Sequence, residues 1–230
     1  QKFEQVMKVC HISTVHKPLD GRIFHKECTS LAAAGFDVSW VVSHNKKEVV
    51  NGVQIVPLKI RSGRLKRILF GTTEAFFKAI KTKSKVYHFH DPELLLVGFL
   101  LKTFGKKVVY DMHELVYYQI ENKQWLGAKG MSKLISKIYR LFEVLAVKWF
   151  DIIVIAEDGY QEYFDRVYPK DLDKVVPIRN YPILSLNKNY EEPASTSKMN
   201  KVIYLGGISK IRGIEEIIKA VEKLNGLVQL

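Results

Sequence analysis

The sequence contains no hydrophobic run long enough to cross a bilayer, and it has only two cysteines. A membrane-spanning helix needs roughly 18–20 consecutive apolar residues, and the longest candidate, "LLLVGFLL" at 94–101, is much shorter. Cys10 and Cys28 provide no disulfide framework, which is typical of a reducing compartment. The first residues, "QKFEQVMKVC", lack the apolar segment of a signal peptide. These absences predict a cytoplasmic protein.

The glycine fingerprint G-x-G-x-x-G of dinucleotide-binding proteins is also absent. The first predicted strand runs into "HISTVHKPLDGRIFHKE", which contains only Gly21, so a nicotinamide-dependent oxidoreductase is not expected. Positive charge, in contrast, is in excess: 36 Lys and Arg stand against 24 Asp and Glu, a net charge of +12. This excess favours an anionic partner such as a phosphate group or a lipid headgroup. Nucleic acid is not predicted, because no recognition motif accompanies the charge.

Short β-branched runs alternate with amphipathic segments along most of the chain, which predicts an α/β fold with a mostly parallel sheet and helices on both faces. The predicted strands are 6–12, 37–43, 53–58, 85–90, 106–112, 151–156 and 174–178. The clearest predicted helix is 131–150, where helical spacing predicts one buried stripe of Met131, Leu134, Ile135, Ile138, Leu141, Phe142, Leu145 and Trp149.

The polar stretch 183–200, "ILSLNKNYEEPASTSKMN", separates two parts of the chain. It has no periodicity and contains Pro and Ser, so it is predicted to be a linker. Residues 1–182 before it form the predicted N-terminal domain. Residues 201–230 after it begin again with a strand, a glycine loop and a helix. Because about 30 residues cannot enclose a core, we expect 201–230 to be the start of an incomplete second domain.

Titratable side chains follow two of the predicted strands. "HFHDPE" (88–93) places His88 and His90 on the same face of a strand, and "YDMHE" (110–114) adds Asp111 and His113 at the end of the next one. In open α/β sheets, ligands bind at the carboxyl ends of strands, so these residues predict a ligand site. These four residues are also the ligand set of an alternative, a metal-dependent hydrolase. We favour a site without metal, because a metal site normally draws ligands from further elements.

Two features near helix starts also have competing interpretations. Asp91, followed by Pro92, has the pattern of a helix N-cap, in which case the neighbouring histidines serve internal hydrogen bonds. In "YLGGISKIRG" (204–213), Gly206 and Gly207 follow a strand and Arg212 lies beside a helix start. This arrangement favours phosphate binding through free backbone amides. The alternative is a tight turn with a solvated arginine.

Six blocks in order resemble a known family: "KVCHISTVHKPLDGRIFHKECTSLAAAGFDVSWVV", "YHFHDPELLLVGFLLK", "VVYDMHE", "DIIVIAEDGYQEYF", "PIRNYP" and "VIYLGGISKIRGIEEIIKAV". Together they resemble bacterial nucleotide-sugar glycosyltransferases of the GT-B type, in the large retaining family 4. The resemblance covers nearly the whole chain except 44–84 and the linker. The first two blocks are similar to members that act in surface-polysaccharide assembly.

The resemblance implies two Rossmann-like domains facing a cleft, with residues 1–182 on the acceptor side. It implies transfer of a sugar from a nucleotide sugar to a glycan or lipid-linked acceptor, with retention and without a cofactor or required metal. His113 matches the family's histidine that reaches the donor's sugar and phosphate, so it is the predicted catalytic residue. His90, Asp91 and Glu114 are predicted to lie near it in the binding site.

The resemblance also assigns donor-binding residues after the linker, with two departures from the family pattern. Arg212 takes the position of the family's phosphate-binding lysine, before Gly213. Gly207 stands where the family usually has an arginine after the first glycine, Gly206. The glycine pair that often follows the first strand is missing as well, which leaves Arg22 as a substitute contact. The rest of the donor site would lie beyond Leu230, so we expect this chain alone to be inactive.

A basic amphipathic segment, 59–85, falls outside the resemblance. Its predicted core face consists of Leu65, Ile68, Leu69, Phe76, Ala79 and Ile80. It is interpreted either as an ordinary surface helix or as a peripheral contact with the anionic inner face of the plasma membrane. For the function of the whole chain, a non-enzymatic basic phosphate-binding module is a third possibility, beside the glycosyltransferase and the metal-dependent hydrolase.

Overall fold

The computed structural model describes residues 6–121, 129–182, 200–208, 212–224 and 228–229. The chain divides into two compact units, Gln1–Tyr181 and Pro182–Leu230, and each is described by itself. Among the residues described, no helix combines the length and the hydrophobicity needed to span a bilayer. Both cysteines are buried and free.

The first unit is built on an eight-stranded sheet with the order β3-β4-β2-β1-β5-β6-β7-β8. Its strands are β1 Lys8–Ile12, β2 Asp37–Ser43, β3 Glu48–Val50, β4 Val53–Leu58, β5 Val86–Phe89, β6 Lys107–Met112, β7 Ile152–Ile155 and β8 Val175–Pro177. All neighbours pair in parallel except β3 and β4, which are antiparallel. The predicted mostly parallel sheet is therefore confirmed.

The helices of this unit are α1 Thr29–Ala33, α2 Arg64–Lys66, α3 Thr72–Lys81, α4 Leu95–Thr103, α5 Val116–Glu121, α6 Lys129–Trp149 and α7 Asp158–Val167. π-Helical turns, Ile23–Cys28 and Arg67–Gly71, lead into α1 and α3. Two separate hydrophobic clusters form the core. Trp40 and Val41 of β2 belong to different clusters, because successive side chains of a strand point to opposite faces. Helices thus cover both faces of the sheet.

Strand β3 is the one strand of this sheet that was not predicted from the periodicity of the sequence. It joins β4 through Asn51 and Gly52, which have φ angles of 50° and 79°. Positive φ at two central residues is the geometry of a type I′ hairpin turn, and Asn-Gly is its strongest sequence signal. The Asn-Gly dipeptide is therefore the sequence signal for this hairpin, because a strand of three residues is too short to show a periodic pattern.

The predicted buried stripe of α6 is wrong. Its members Leu134, Ile138, Leu141, Leu145 and Trp149 are exposed, while Ile135 and Phe142 are only partly buried. The side chain of Met131 lies outside the described residues. The buried face of α6 is instead smaller and more polar, formed by Ser132, Ser136, Glu143, Ala146 and Val147, and Phe150 directly after the helix is buried as well. Glu143 tolerates burial because its carboxylate accepts hydrogen bonds from Tyr163 and, at 2.7 Å, from Tyr168.

The predicted core face of 59–85 is correct only in its second half. Ala79 is buried, and Phe76 and Ile80 pack against the core. Leu65 and Leu69, however, are 76% and 63% exposed. The π-helical turn between α2 and α3 changes the angular position of the side chains that precede it, so a uniform 3.6-residue period does not describe the whole segment.

The second unit contains β9 Asn200–Lys201, α8 Ile214–Glu222 and β10 Val228–Gln229. Its two strands pair in parallel. Gly213, directly before α8, has a φ angle of 69°, which is a conformation that glycine adopts without steric cost.

Replacing Gly98 of α4 by alanine should destabilise the first unit. An added Cβ would lie 2.6 Å from Cε1 of Phe89 and 2.7 Å from Cζ of Phe150, and both rings are fully enclosed. Such overpacking typically costs about 1–3 kcal/mol, which urea denaturation would measure. Gly159→Ala in α7 is the control, since its Cβ would meet nothing within 4 Å. Equal stability of both variants would contradict the packing described for Gly98.

Candidate active site

The carboxyl ends of β1, β5 and β6 lie side by side, because β5 pairs with β1 on one side and with β6 on the other. The register places His11 of β1 directly beside His88 of β5. Their ring centroids are 4.5 Å apart, and the ring of His90 stacks on His88 at 4.6 Å. The two predicted polar motifs are therefore brought together at one edge of the sheet. His11 joins them, although it was not among the site residues predicted from the sequence.

Asp91 stands at the N-terminal end of the 3-10 turn Pro92–Leu94, but its side chain does not cap that turn. The carboxylate instead accepts hydrogen bonds from Ser13 Oγ at 2.9 Å and from the backbone amides of Thr14 and Val15 at 2.6 and 3.2 Å. His16 Nδ1 lies 3.2 Å from its second oxygen. The interpretation of Asp91 as a side-chain cap is thus wrong. Its carboxylate anchors the loop that follows β1.

Asp91 remains ionised although it is buried. Burial raises its pKa, but the hydrogen bonds from His16, Thr14 and Ser13 outweigh that effect and lower the pKa below its usual range. A carboxylate that accepts several such bonds is stabilised in its charged form. Asp91 therefore supplies a fixed negative charge to the loop and to His16.

Asp111 is a second buried carboxylate, and Arg22 is its partner. Arg22 Nη2 lies 3.1 and 3.2 Å from the two oxygens of Asp111, and Nη1 donates to the carbonyl of Ile178 at 2.9 Å. Arg22 Nε lies 3.0 Å from Glu27. The guanidinium was predicted to contact the nucleotide-sugar donor, and it is buried beneath the site. In the first unit it acts as the countercharge that permits Asp111 to be buried.

The pKa values of the two carboxylates near Arg22, Glu27 and Asp111, are shifted in opposite directions. Burial and the charge of Asp111 raise the pKa of Glu27 to about 9, against the smaller effect of Arg22. Burial also penalises ionised Asp111, but the hydrogen bond from His90 and the surrounding histidines hold its pKa well below the usual range. At neutral pH the charge therefore resides on Asp111, and Glu27 is protonated.

His113 is the part of this cluster that reaches solvent. Its Nε2 lies 3.3 Å from His90 Nδ1 and 3.6 Å from Asp111, and Tyr160 donates to its backbone carbonyl at 3.0 Å. Burial lowers the pKa of His113 to about 4, although Asp111 opposes the shift. His113 is consequently a neutral imidazole at pH 7, and it is held in place from two sides.

Two cavities open at this edge of the sheet. The smaller, about 230 Å³, is lined by His113 together with His16, His90, Asp91 and Glu114. Glu114 is exposed and accepts a hydrogen bond from Gln119 at 2.7 Å. The predicted residues His113, His90, Asp91 and Glu114 therefore surround one space.

The larger cavity, about 670 Å³, lies on the other side of His16. Its walls combine apolar and basic side chains, among them Ile60, Arg61 and Arg67. Arg67 is held by Glu93 through two hydrogen bonds of 2.8 and 3.1 Å. Neither His16 nor Arg67 was selected from the sequence. The signal available for His16 was its position in the loop directly after β1, at the same edge as the other polar residues.

Among the residues that the structure describes, two sets of side chains have the spacing of metal ligands: His90, Asp111 and His113, and separately His11, Glu27, His88 and His90. The predicted set is thus split, since His88 groups with residues other than His113. Each set also contains a carboxylate that Arg22 already contacts. A cation would have to displace or tolerate this guanidinium, so the residues fit a metal poorly.

In the second unit, the predicted phosphate-binding residues are close neighbours. A Cβ added to Gly206 would lie 3.6 Å from Nη1 of Arg212. Tyr204 donates to the carbonyl of Gly207 at 3.0 Å. Arg212 is exposed and stands directly before Gly213 at the start of α8. A cation and a helix N-terminus at one position favour an anion.

The fold of this chain is similar to that of solved glycosyltransferases. Sucrose-phosphate synthase (tll1590) from Thermosynechococcus elongatus matches with a TM-score of 0.67 and 18% identity, over 94% of this chain and 60% of that one. A glycosyltransferase from Rickettsia africae ESF-5 matches with a TM-score of 0.53 and 12% identity, over 96% of this chain and 58% of that one. The glycotransferase of kitacinnamycin matches with a TM-score of 0.51 and 11% identity, over 98% of this chain and 65% of that one. No protein-family model and no curated protein matches the sequence.

At these identities the likeness establishes the fold. It is a Rossmann-like α/β fold that matches glycosyltransferases of the GT-B type, as predicted. The chain spans about 60% of the length of the solved structures that it matches.

Removing the countercharge of Asp111 should destabilise the first unit strongly. Arg22→Met would leave a buried carboxylate without its partner, and breaking a buried pair in this way typically costs about 3–5 kcal/mol. Arg179→Met is the matched control, because Arg179 pairs with Asp158 at 2.8 Å on the surface and exposed pairs contribute about 0–1 kcal/mol. Urea denaturation of both variants gives the comparison. Equal losses would mean that Arg22 does not neutralise Asp111.

Proposed function

We propose that this chain is part of a glycosyltransferase that moves a sugar from a nucleotide sugar to a glycan or lipid-linked acceptor. The observation that supports it most directly is His113, a partly exposed neutral imidazole that faces a cavity at the carboxyl edge of a glycosyltransferase-type sheet. Asp111 and His90 fix its position. A preorganised group of this kind can hydrogen-bond the donor where charge develops.

The departing nucleotide diphosphate carries negative charge, which needs stabilisation in the transition state. Arg212 and the N-terminus of α8 offer a cation and free backbone amides for this purpose. We propose transfer with retention and without a required metal, as the family resemblance implies. The resemblance to members of surface-polysaccharide assembly makes such a polymer the proposed destination of the sugar, in the cytoplasm.

His113→Ala should lower kcat/KM in the full-length protein that contains this chain. Loss of one hydrogen bond to a phosphate or sugar in the transition state costs about 2–4 kcal/mol, or roughly 30- to 1,000-fold in rate. The measurement is sugar transfer from a panel of nucleotide sugars to glycan and lipid-linked acceptors, with the melting temperature recorded in parallel. We expect the melting temperature to change little, because His113 is partly exposed.

The control for this assay is His25→Ala, which removes an exposed histidine that lines neither cavity. Unchanged kcat/KM for His113→Ala, together with a fall of several degrees in melting temperature, would show that His113 is only structural. A chelator should leave turnover unchanged. Hydrolysis that is lost with the chelator and restored by metal would favour the metal-dependent hydrolase. Nucleotide-sugar binding without turnover in the full-length protein would favour the phosphate-binding module.

We propose in addition that the protein contacts an anionic membrane surface through segment 59–85. Ile60, Leu65, Leu69 and Phe70 are all more than half exposed there, and Lys66 is among the basic residues between them. Apolar side chains on a basic helix are the features of an interfacial segment. The exposed apolar face of α6 offers a second surface of the same type.

Co-sedimentation with vesicles tests this contact. The chain should bind vesicles that contain anionic lipid, and binding should fall at high salt because it depends on charge. Leu65→Ser/Leu69→Ser should weaken binding several-fold, and Leu141→Ser/Leu145→Ser on α6 is the matched pair. If only the Leu141→Ser/Leu145→Ser variant loses vesicle binding, the membrane contact lies on α6 and not on segment 59–85. Equal binding to neutral vesicles would contradict an electrostatic contribution.

A further inference from the structure

His16 lies on the wall that the two cavities share. It lines the smaller cavity with His113 and Glu114, and it also lines the larger one with Arg61 and Arg67. Its side chain is 28% exposed, and its ring centroid is 5.6 Å from that of His113. Of the residues described, it therefore stands where two substrates, one in each cavity, would meet.

The orientation of the His16 ring is set by Asp91. Nδ1 lies 3.2 Å from Asp91 Oδ1 and 2.9 Å from Ser13 Oγ. Ser13 Oγ itself donates to the other oxygen of Asp91 at 2.9 Å, so it has lone pairs but no second proton to offer His16. Nδ1 must then carry the hydrogen. Nε2 consequently keeps its lone pair and can accept a proton.

The environment of His16 differs from that of the other histidines of the cluster. Burial lowers its pKa, but the hydrogen bond and the charge of Asp91 outweigh that effect, so the pKa is raised from 6.5. Burial instead lowers the pKa of His113 to about 4 and that of His88 to about 3. A proton acceptor is ineffective when its pKa lies far below the working pH, and among these three only His16 has a pKa that its surroundings raise.

We infer that His16 is the general base of the proposed transfer, with the acceptor in the larger cavity and its reacting hydroxyl at Nε2 of His16. This inference rests on the proposed function and adds the residue that receives the proton. As the acceptor oxygen bonds to the anomeric carbon, the O–H proton passes to Nε2. The bond from that carbon to the phosphate oxygen breaks, and its electron pair leaves with the nucleotide diphosphate. His16 returns its proton to solvent.

Asp91 has a positioning role in this step. It fixes the Nδ1–H tautomer of His16 and stabilises the imidazolium that forms. The pH dependence involves the charged groups around the ring: the carboxylates of Asp20, Asp91 and Asp111 favour protonation, while His113, Lys17, Glu48, Glu114, Arg61 and Arg67 line the two cavities with it.

The first test uses this chain without substrate and follows the histidine rings by NMR as the pH is changed. We expect His16 to titrate above 6.5 and His113 near 4. Asp91→Asn should lower the pKa of His16. Because Asp91 also holds the loop, Ser13→Ala serves as a milder second variant and should change the same pKa less. A wild-type His16 pKa lowered as far as that of His113 would overturn the inference without any activity measurement.

The second test uses the full-length protein. His16→Gln should lower kcat by about 100-fold or more, since general base catalysis contributes typically 10²- to 10⁴-fold. Wild-type kcat/KM should rise with pH through the pKa of His16, and this acidic limb should disappear in the variant. His25→Gln is the control and should retain both the rate and the pH profile.

The outcomes separate the inference from the proposed function. If the wild-type protein transfers no sugar with any donor and acceptor, the proposed function fails. If it transfers sugar and His16→Gln raises only KM, or keeps the acidic limb, the proton goes to another acceptor such as the departing phosphate. In that case the inference about His16 is wrong while the proposed function stands.

Discussion

The site depends on the burial of two carboxylates at the carboxyl edge of a parallel sheet. Asp91 follows β5 and Asp111 lies near the end of the neighbouring strand β6, and each is almost completely removed from water. A buried charge is tolerated only when protein groups replace its hydration. Asp91 obtains this from backbone amides and Ser13, whereas Asp111 obtains it from Arg22. The loop after β1 and the start of the π-helical turn that leads into α1 are consequently tied to the ends of β5 and β6.

These two charges also determine what the histidines can do. Desolvation and repulsion from neighbouring histidines lower the pKa values of the buried His88 and the partly exposed His113. His16 is also partly exposed, but it contacts the carboxylate of Asp91, and its pKa is raised instead. One cluster therefore provides neutral imidazoles for hydrogen bonding and one imidazole suited to accept a proton. Such separation of pKa values among neighbours is typical of active sites.

The first unit also exposes many large apolar side chains to solvent. The face of α6 that the periodicity predicted to be buried is turned outward, and the leucines that precede α3 are exposed as well. Contiguous apolar surface of this kind generally marks a contact with another molecule. The basic residues beside it and the net charge of +12 agree with an anionic surface. This is the physical basis of the membrane contact that we propose.

The sequence by itself determined the strand pattern, the parallel α/β class and the edge of the sheet at which polar residues collect. These properties follow from local periodicity and from the rule that ligands bind at strand ends. The hairpin at Asn51 was missed, although its Asn-Gly dipeptide is a local signal for such a turn. Local spacing of this kind contains no information about distant partners in the chain.

Tertiary structure decided everything that depends on such partners. The carboxylate of Asp91 bonds to a loop 77 residues earlier in the chain rather than to its own helix. Glu143 lies on the buried, polar face of α6, where a tyrosine of α7 and one just after it donate hydrogen bonds to one oxygen of its carboxylate. Arg22 is buried because Asp111, 89 residues away, requires its charge. His16 belongs to the site for the same reason, because it lies 3.2 Å from the buried carboxylate of Asp91. The partners of a buried charge are the groups that lie near it in space, and the periodicity of the sequence gives no information about that proximity.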